Sequence, residues 1–469
     1  MLTTLIVIFV VGYLCIALEH PLKVDKTATA LVLGMLMWVI YALGADSLVD
    51  MAGPFKEHLM KYAEETGQDV HTHHLALDYI LNVDIVEHLG DICQTLLFLI
   101  GAMTIVELVD VHGGFKVITD HIQTRNKKKL LWIIALVTFF LSAVLDNLTT
   151  TIVMIMLLRK LIANQEERWV YAASVVIAAN TGGAWSPIGD VTTIMLWVKG
   201  NVTALHLIAY VLFPSIVACV LPLAIVSTGL KGELPAVPQT YTADRTISSR
   251  EQSTMFYLGV GGLIFVPVFK SITHMPPFVG ILLVLGLLWV FTEMFYNKKM
   301  LDKAKEHRLP SVISRIDMPS ILFFLGILMA VAVLQSTGIL GELATLLDEK
   351  IGNIYVINVV LGVLSSIVDN VPLVAAAMGM YSVPTATELA ANPDLLHYAV
   401  DGQFWGMLSY CAGVGGSILI IGSAAGVIAM GLEKINFGWY LKKFSWLALI
   451  GYLAGAAVQI CEYMIFETL

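Results

Sequence analysis

Long apolar segments recur along this chain with little between them, at residues 2–18, 28–45, 92–110, 130–158, 170–198, 204–228, 253–270, 278–296, 317–335, 354–381, 401–430 and 440–465. Most are about the 20 residues that a helix needs to cross the hydrocarbon core of a bilayer. With 58% hydrophobic and only 13% charged residues, the chain has too little polar surface to clothe a water-soluble fold. Membrane-barrel strands would be short and alternating rather than long and unbroken. The expected fold is therefore an all-α polytopic membrane protein.

The first segment, residues 2–18, has no basic leader and no small-residue cleavage pattern, so it reads as a retained helix rather than a signal peptide. A formal net charge of −9 gives no basis for a nucleic-acid partner. Cys15, Cys93, Cys219, Cys411 and Cys461 stand singly in apolar sequence, without the spacing of a zinc site or a disulfide framework.

Four segments are not simple spans. As one straight helix, residues 130–158 would reach roughly 40 Å, against a hydrocarbon core of about 30 Å. Lys127, Lys128 and Lys129 precede the segment and Arg159 and Lys160 follow it. If basic flanks stay cytoplasmic, both ends lie on one side, and the segment turns back at Asp146-Asn147. Residues 354–381 carry the same dipeptide, Asp369-Asn370, between acidic flanks, and read as a hairpin from the opposite face. Residues 170–198 and 401–430 contain "NTGGAWSPIGD" and "GVGGSILIIGS". Paired glycines, with Pro187 in the first case, interrupt a helix, and the freed backbone groups must then face protein or a polar cavity.

These four features form two pairs in the same order. Asp146 and Asp369 are 223 positions apart, and Gly182 and Gly415 are 233 apart. "LVLG" at Leu31 recurs at Leu283, and "FLIGAM" at Phe98 resembles "FFLGIL" at Phe323. With the amino terminus outside, the basic loops around Lys23, Arg125, Arg159 and residues 298–315 fall inside, and the acidic loop 47–90 falls outside. On that count both termini are external and the repeat is inverted, as in secondary transporters with a midplane site. The expected organisation is a first repeat over residues 1–228, a linker over 229–252 and a second repeat over 253–469, each with one re-entrant hairpin and one broken helix.

Ionisable residues at membrane depth are costly and point to function. Asp146, Asp190 and Asp369 are such residues, and each also has a second reading as a helix cap. Asn147, Asn180 and Asn370 combine turn formation with an amide oxygen. Thr149, Thr150, Thr151, Thr192, Thr193, Ser365, Ser366, Ser417 and Ser423 could present hydroxyls or could bond their own helix backbone. Together these hard oxygens suit a small hard cation. Removal from water favours the neutral form of a carboxylic acid, so an entering cation must displace a proton, which suffices for antiport. An anionic substrate would instead favour helix N-termini and neutral side chains. Glu107 and Glu293 lie near helix ends and weigh less. His71, His73 and His74 have metal-compatible spacing in a polar loop. No phosphate-binding loop of the GxxxxGK[ST] kind is present.

"VLDNLTTTIVMIMLLRKL", "NTGGAWSPIGDVTTIMLW", "SSIVDNVPLVAAAMGMY" and "GGSILIIGSAAGVIAMG" resemble the signature segments of NhaD-type sodium/proton antiporters, in the ion transporter superfamily. The resemblance runs from about residue 28 to the end. It implies Na⁺ or Li⁺ efflux driven by inward H⁺ across the bacterial cytoplasmic membrane, with no cofactor beyond the transported ions. It places functional polar groups on Asp146, Asn147, Asn180, Asp190, Thr192, Thr193, Ser365, Asp369, Asn370, Ser417 and Ser423, and the residues add Thr149. Na⁺ itself is expected at Asp146, Asn180, Asp190 and Asp369. The superfamily implies a homodimer with an elevator-like movement. Related dicarboxylate carriers have Ser-Asn-Thr at the hairpin tips, where this chain has Asp-Asn-Leu-Thr and Asp-Asn-Val-Pro. A Na⁺-coupled anion or dicarboxylate carrier of the same fold is the alternative reading. A channel or an intramembrane hydrolase ranks behind both, since no segment supplies a nucleophile and base.

Overall fold

In a computed structural model of the chain, residues 1–17, 19–49, 53–71, 74–119, 122, 124–235, 249–297, 309–367 and 369–467 are described. Most of the expected linker, residues 298–308 of the basic loop, and His73 lie outside them. The described residues are helical, with one isolated antiparallel bridge between Asn126 and Glu233 and no strand. Among them eight helices are long and apolar enough to cross a membrane. This is the all-α polytopic architecture expected from the sequence.

The chain divides into two compact units. One comprises Met1–Leu96, Asp317–Asn353 and Val371–Pro384, the other Leu97–Ile316, Ile354–Asn370 and Thr385–Leu469. Each unit takes residues from both halves of the chain.

In the first unit, helix Lys26–Leu43 lies against Met318–Ser336 closely enough that a Cβ at Gly34 would run into the Gly326 carbonyl. Trp38 Nε1 donates to the Met329 carbonyl at 2.9 Å. The stretch expected to be an external loop, residues 47–90, is largely helical. Helix Pro54–Thr66 starts on a proline and ends at Gly67, whose φ of 66° is the left-handed cap glycine favours. A longer helix, Leu75–Val111, begins well ahead of residue 92 and contains a π-helical turn at Ile80–Asp84. Asp84, Glu87 and His88 interrupt the apolar run in sequence, but Asp84 is satisfied in place. Tyr41 donates to it at 2.8 Å and Ser336 at 3.0 Å, with His88 Nε2 3.4 Å away.

In the second unit, the segment around Asp146 is two helices, Lys127–Leu145 and Asn147–Leu161, joined by that single residue at a φ of 78°. The segment with the first Gly-Gly pair is Gln165–Gly183 and Val191–Val198 around an irregular stretch. Its counterpart is Gln403–Gly415 and Ala424–Glu433. Helix Ile354–Leu364 leads to Asp369 and to Asn370, which opens the helix Asn370–Met380.

The two sets pack alike. Ser142 donates to the Ala179 carbonyl at 2.6 Å, and Ser365 to the Ala412 carbonyl at 2.9 Å. The serines are 223 positions apart and the carbonyls 233, the same offsets that align the motifs. At both crossings a glycine admits the neighbouring backbone: a Cβ on Gly182 would meet the Phe139 carbonyl, and one on Gly415 the Gly362 carbonyl. Gly182→Ala or Gly415→Ala gains at most about 1 kcal/mol of helix propensity. Overpacking against rigid backbone costs ~1–3 kcal/mol, so both variants are expected to melt below wild type in detergent. An unchanged or raised melting temperature would remove the close-approach argument.

Candidate functional site

Asp190 ends the first irregular stretch and caps helix Val191–Val198, accepting from the Thr192 N–H at 3.1 Å. Thr193 completes a capping box: its hydroxyl donates to the Asp190 carbonyl at 2.8 Å and lies 3.3 Å from the Asp190 N–H. The capping reading of Asp190 is therefore correct as far as it goes. It does not use the whole carboxylate. Asn147 Nδ2 donates to Asp190 Oδ2 at 2.8 Å, and Asn370 Nδ2 makes longer approaches of 3.3 and 3.4 Å to its two oxygens. Asn147 and Asn370 stand 223 positions apart, at equivalent points after the two Asp tips.

The network continues through Asn180. Its Oδ1 accepts from Asn147 at 3.1 Å, and its Nδ2 donates to Ser417 Oγ at 3.0 Å and Ser423 Oγ at 2.8 Å. Ser423 also caps Ala424–Glu433 through the Gly426 N–H, and the Ser417 carbonyl is held by the Tyr440 hydroxyl at 2.8 Å. Asn147, Asn180, Asp190, Asn370, Ser417 and Ser423 are all buried. Residues from both Asp-Asn segments and both broken helices thus contribute to one polar cluster.

Three carboxylates bear on this cluster. Asp369 acts electrostatically on Asp190, and Asp190 on Asp146. Asp146 directs its oxygens to Thr149, accepting from the N–H at 2.7 Å and the hydroxyl at 3.0 Å, which caps helix Asn147–Leu161. Of the three, Asp190 is buried and Asp146 and Asp369 are half-buried.

The halves are unequal here for a steric reason. Gly413 occupies the position equivalent to Asn180, and a Cβ there would lie 3.1 Å from Ala184 Cβ and 3.9 Å from Asp190 Oδ2. Any side chain there would crowd Ala184.

The structure separates the expected residues into two roles. Asn147, Asn180, Asp190, Asn370, Ser417 and Ser423 meet. Thr149, Thr192 and Thr193 support caps, and Ser365 donates to the Ala412 carbonyl. Thr150 is fully buried and its hydroxyl has no hydrogen-bond partner. It lies three residues after Asn147, on the same helical face, a spacing that could have singled it out. Lys270 was missed altogether. Its ammonium bonds the Trp197 carbonyl and lies 4.6 Å from the Trp197 ring centre, fastening the far end of the half-helix that starts at Asp190. Among the described residues no group of three His, Cys, Asp or Glu side chains is placed to hold a metal.

A family model described as "Citrate transporter" matches residues 13–401. "Sodium/proton antiporter 1" of Arabidopsis thaliana is 42% identical over 97% of this chain and 72% of its own length. "Sodium/proton antiporter 2" of the same plant is also 42% identical, over 97% of this chain and 98% of its own. The chain belongs to the NhaD-type antiporter family. "Na(+)/H(+) antiporter NhaD" of Alkalimonas amylolytica is 29% identical over 97% of this chain and 89% of its own length. A member of this family is a multi-pass membrane carrier rather than an enzyme.

Proposed function

We propose that this protein exchanges Na⁺ or Li⁺ for H⁺, with cation and protons competing for the carboxylates around Asn147, Asn180 and Asn370. The observation that carries the reading is Asp190 set between two asparagines from opposite hairpins, with Asp146 and Asp369 in electrostatic reach. Such oxygen-rich, carboxylate-bearing breaks between half-helices are the form that cation sites take in alternating-access carriers. Relatives named as sodium/proton antiporters support the same substrates. The carrier works as a homodimer in the bacterial cytoplasmic membrane, with inward H⁺ driving cation efflux.

Carriage of citrate or a related carboxylate is the second reading, favoured by the description of the family model. An anion would bind at half-helix N-termini. Two of those N-termini, at Asn147 and Val191, already carry the carboxylates of Asp146 and Asp190 as caps. A fixed negative charge at that point repels a second one, which favours the cation.

The deciding experiment loads purified protein into proteoliposomes and follows internal pH after pulses of Na⁺, Li⁺, K⁺ or citrate. Antiport gives pH changes with Na⁺ or Li⁺ that reverse with the direction of the gradient. Citrate accumulation without such exchange would establish the second reading. The two hairpins enter from opposite faces and neither crosses the bilayer. Single cysteines at positions 128 and 160 are therefore expected to react with an impermeant thiol reagent from the same side. Labelling from opposite sides would overturn the hairpin.

A further inference from the structure

Three of the five helices that bring side chains to the polar cluster also meet at their other ends. Helix Asn147–Leu161 starts at Asn147 and carries Arg159 near its end. Helix Gln165–Gly183 begins with Gln165, Arg168 and Trp169 and carries Asn180 near its end. Helix Ala424–Glu433 is capped by Ser423 and ends on Glu433. From Asn147 to Arg159, and from Arg168 to Asn180, is one and the same interval along the helix, roughly 18 Å.

Glu433 gathers the second set of ends. Its side chain is wholly buried, with Oε1 2.7 Å from Arg159 Nε and Oε2 2.9 Å from Arg168 Nε. Its backbone carbonyl accepts from Gln165 Nε2 at 2.8 Å and from Trp169 Nε1 at 2.9 Å, and Arg159 also bonds the Leu432 carbonyl. Arg168 further donates to the Ile162 and Ala163 carbonyls between the first two helices. Each carboxylate oxygen therefore pairs with a different helix. A buried carboxylate held this way is costly to make and costlier to break, because losing one partner leaves charge unpaired. Simple lipid packing of three apolar helices does not need it.

We infer that Glu433, with Arg159 and Arg168, is a positioning clamp for the ion site. It fixes the relative height and rotation of the three helices, so that Asn147, Asn180 and Ser423 arrive together at the opposite end. Asn180 has to satisfy Asn147 on one side and Ser417 and Ser423 on the other. An axial slip of even one residue, about 1.5 Å, would separate these groups. The inference rests on the antiport reading for its kinetic consequence, but not for its structural one.

Two measurements test it. In proteoliposomes Glu433→Gln is expected to raise the apparent KM for Na⁺ about tenfold while changing kcat by less than about threefold. Arg159→Gln, whose guanidinium is partly open to water, is expected to give a smaller rise, and the double variant is expected to match Glu433→Gln rather than exceed it. Hydrogen exchange on detergent-purified protein reads the clamp without reference to transport. Glu433→Gln is expected to speed exchange about tenfold at residues 146–151, 180–184 and 423–427, the far ends of the helices. If wild type shows no Na⁺ response the antiport reading fails, and this exchange pattern alone decides the clamp. Faster exchange confined to residues 157–169 and 430–437 overturns it, as does a wild-type KM in both single variants. Should Glu433→Gln not fold, Arg159→Gln is judged by the same two measurements.

Discussion

Asp190→Ser is expected to raise the apparent KM for Na⁺ by roughly tenfold to a hundredfold, or to stop exchange outright, while the protein remains folded. Serine is itself a good N-cap, so helix Val191–Val198 keeps its start. What serine cannot supply is a second charged oxygen for Asn147 and Asn370. Hydrogen bonds to a charged group contribute ~1.5–3 kcal/mol each, and the lower end of that range is already about a factor of ten in an equilibrium. The variant separates the two roles that the carboxylate combines. Na⁺-driven pH change in proteoliposomes, measured across the alkaline range where carboxylates are ionised, gives the answer. A wild-type KM and rate in Asp190→Ser would reduce this residue to a cap.

Asp146→Asn and Asp369→Asn are each expected to abolish exchange with little effect on folding. At Asp146 the backbone φ of 78° is one that asparagine tolerates better than most residues, and asparagine caps a helix about as well as aspartate. The Thr149 N–H therefore keeps an acceptor, and stability is expected to stay within roughly 0.5 kcal/mol of wild type. Only the ionisable group is lost. Asp146→Ala is the contrasting control, since it removes the cap as well and should cost ~0.5–2 kcal/mol. Melting temperature and exchange rate measured on the same preparations separate the two effects. Normal antiport in Asp146→Asn or Asp369→Asn would leave that residue as a turn former.

Much of this was readable before any fold was known. The Asp-Asn dipeptides marked helix boundaries: one helix ends at Leu145 and the next begins at Asn147, and another begins at Asn370. Gly182-Gly183 and Gly415-Gly416 marked the broken helices, and the helices do end there. Less legible was the division of labour among polar groups. Ser365 and Ser417 look alike in sequence, yet one donates to the Ala412 carbonyl and the other accepts from Asn180. Nor does the sequence alone show that residues 47–90, read as an external loop, are largely helical. Tyr41 and Ser336, far away in sequence, satisfy Asp84 inside the helical unit.

Hydrophobic length, basic flanks and repeated breaks by themselves determined that this chain is a helical membrane protein and which short stretches interrupt its helices. Those are local properties, fixed by the cost of burying backbone and charge in a medium without water. Which oxygen faces which amide was decided only by tertiary structure. Asn180 meets Ser417 and Ser423, and Glu433 meets Arg159 and Arg168, because helices distant in sequence cross at particular heights. Periodicity along one helix carries no information about the height of another. Glycines such as Gly182 and Gly415 admit the close backbone approach on which those heights depend.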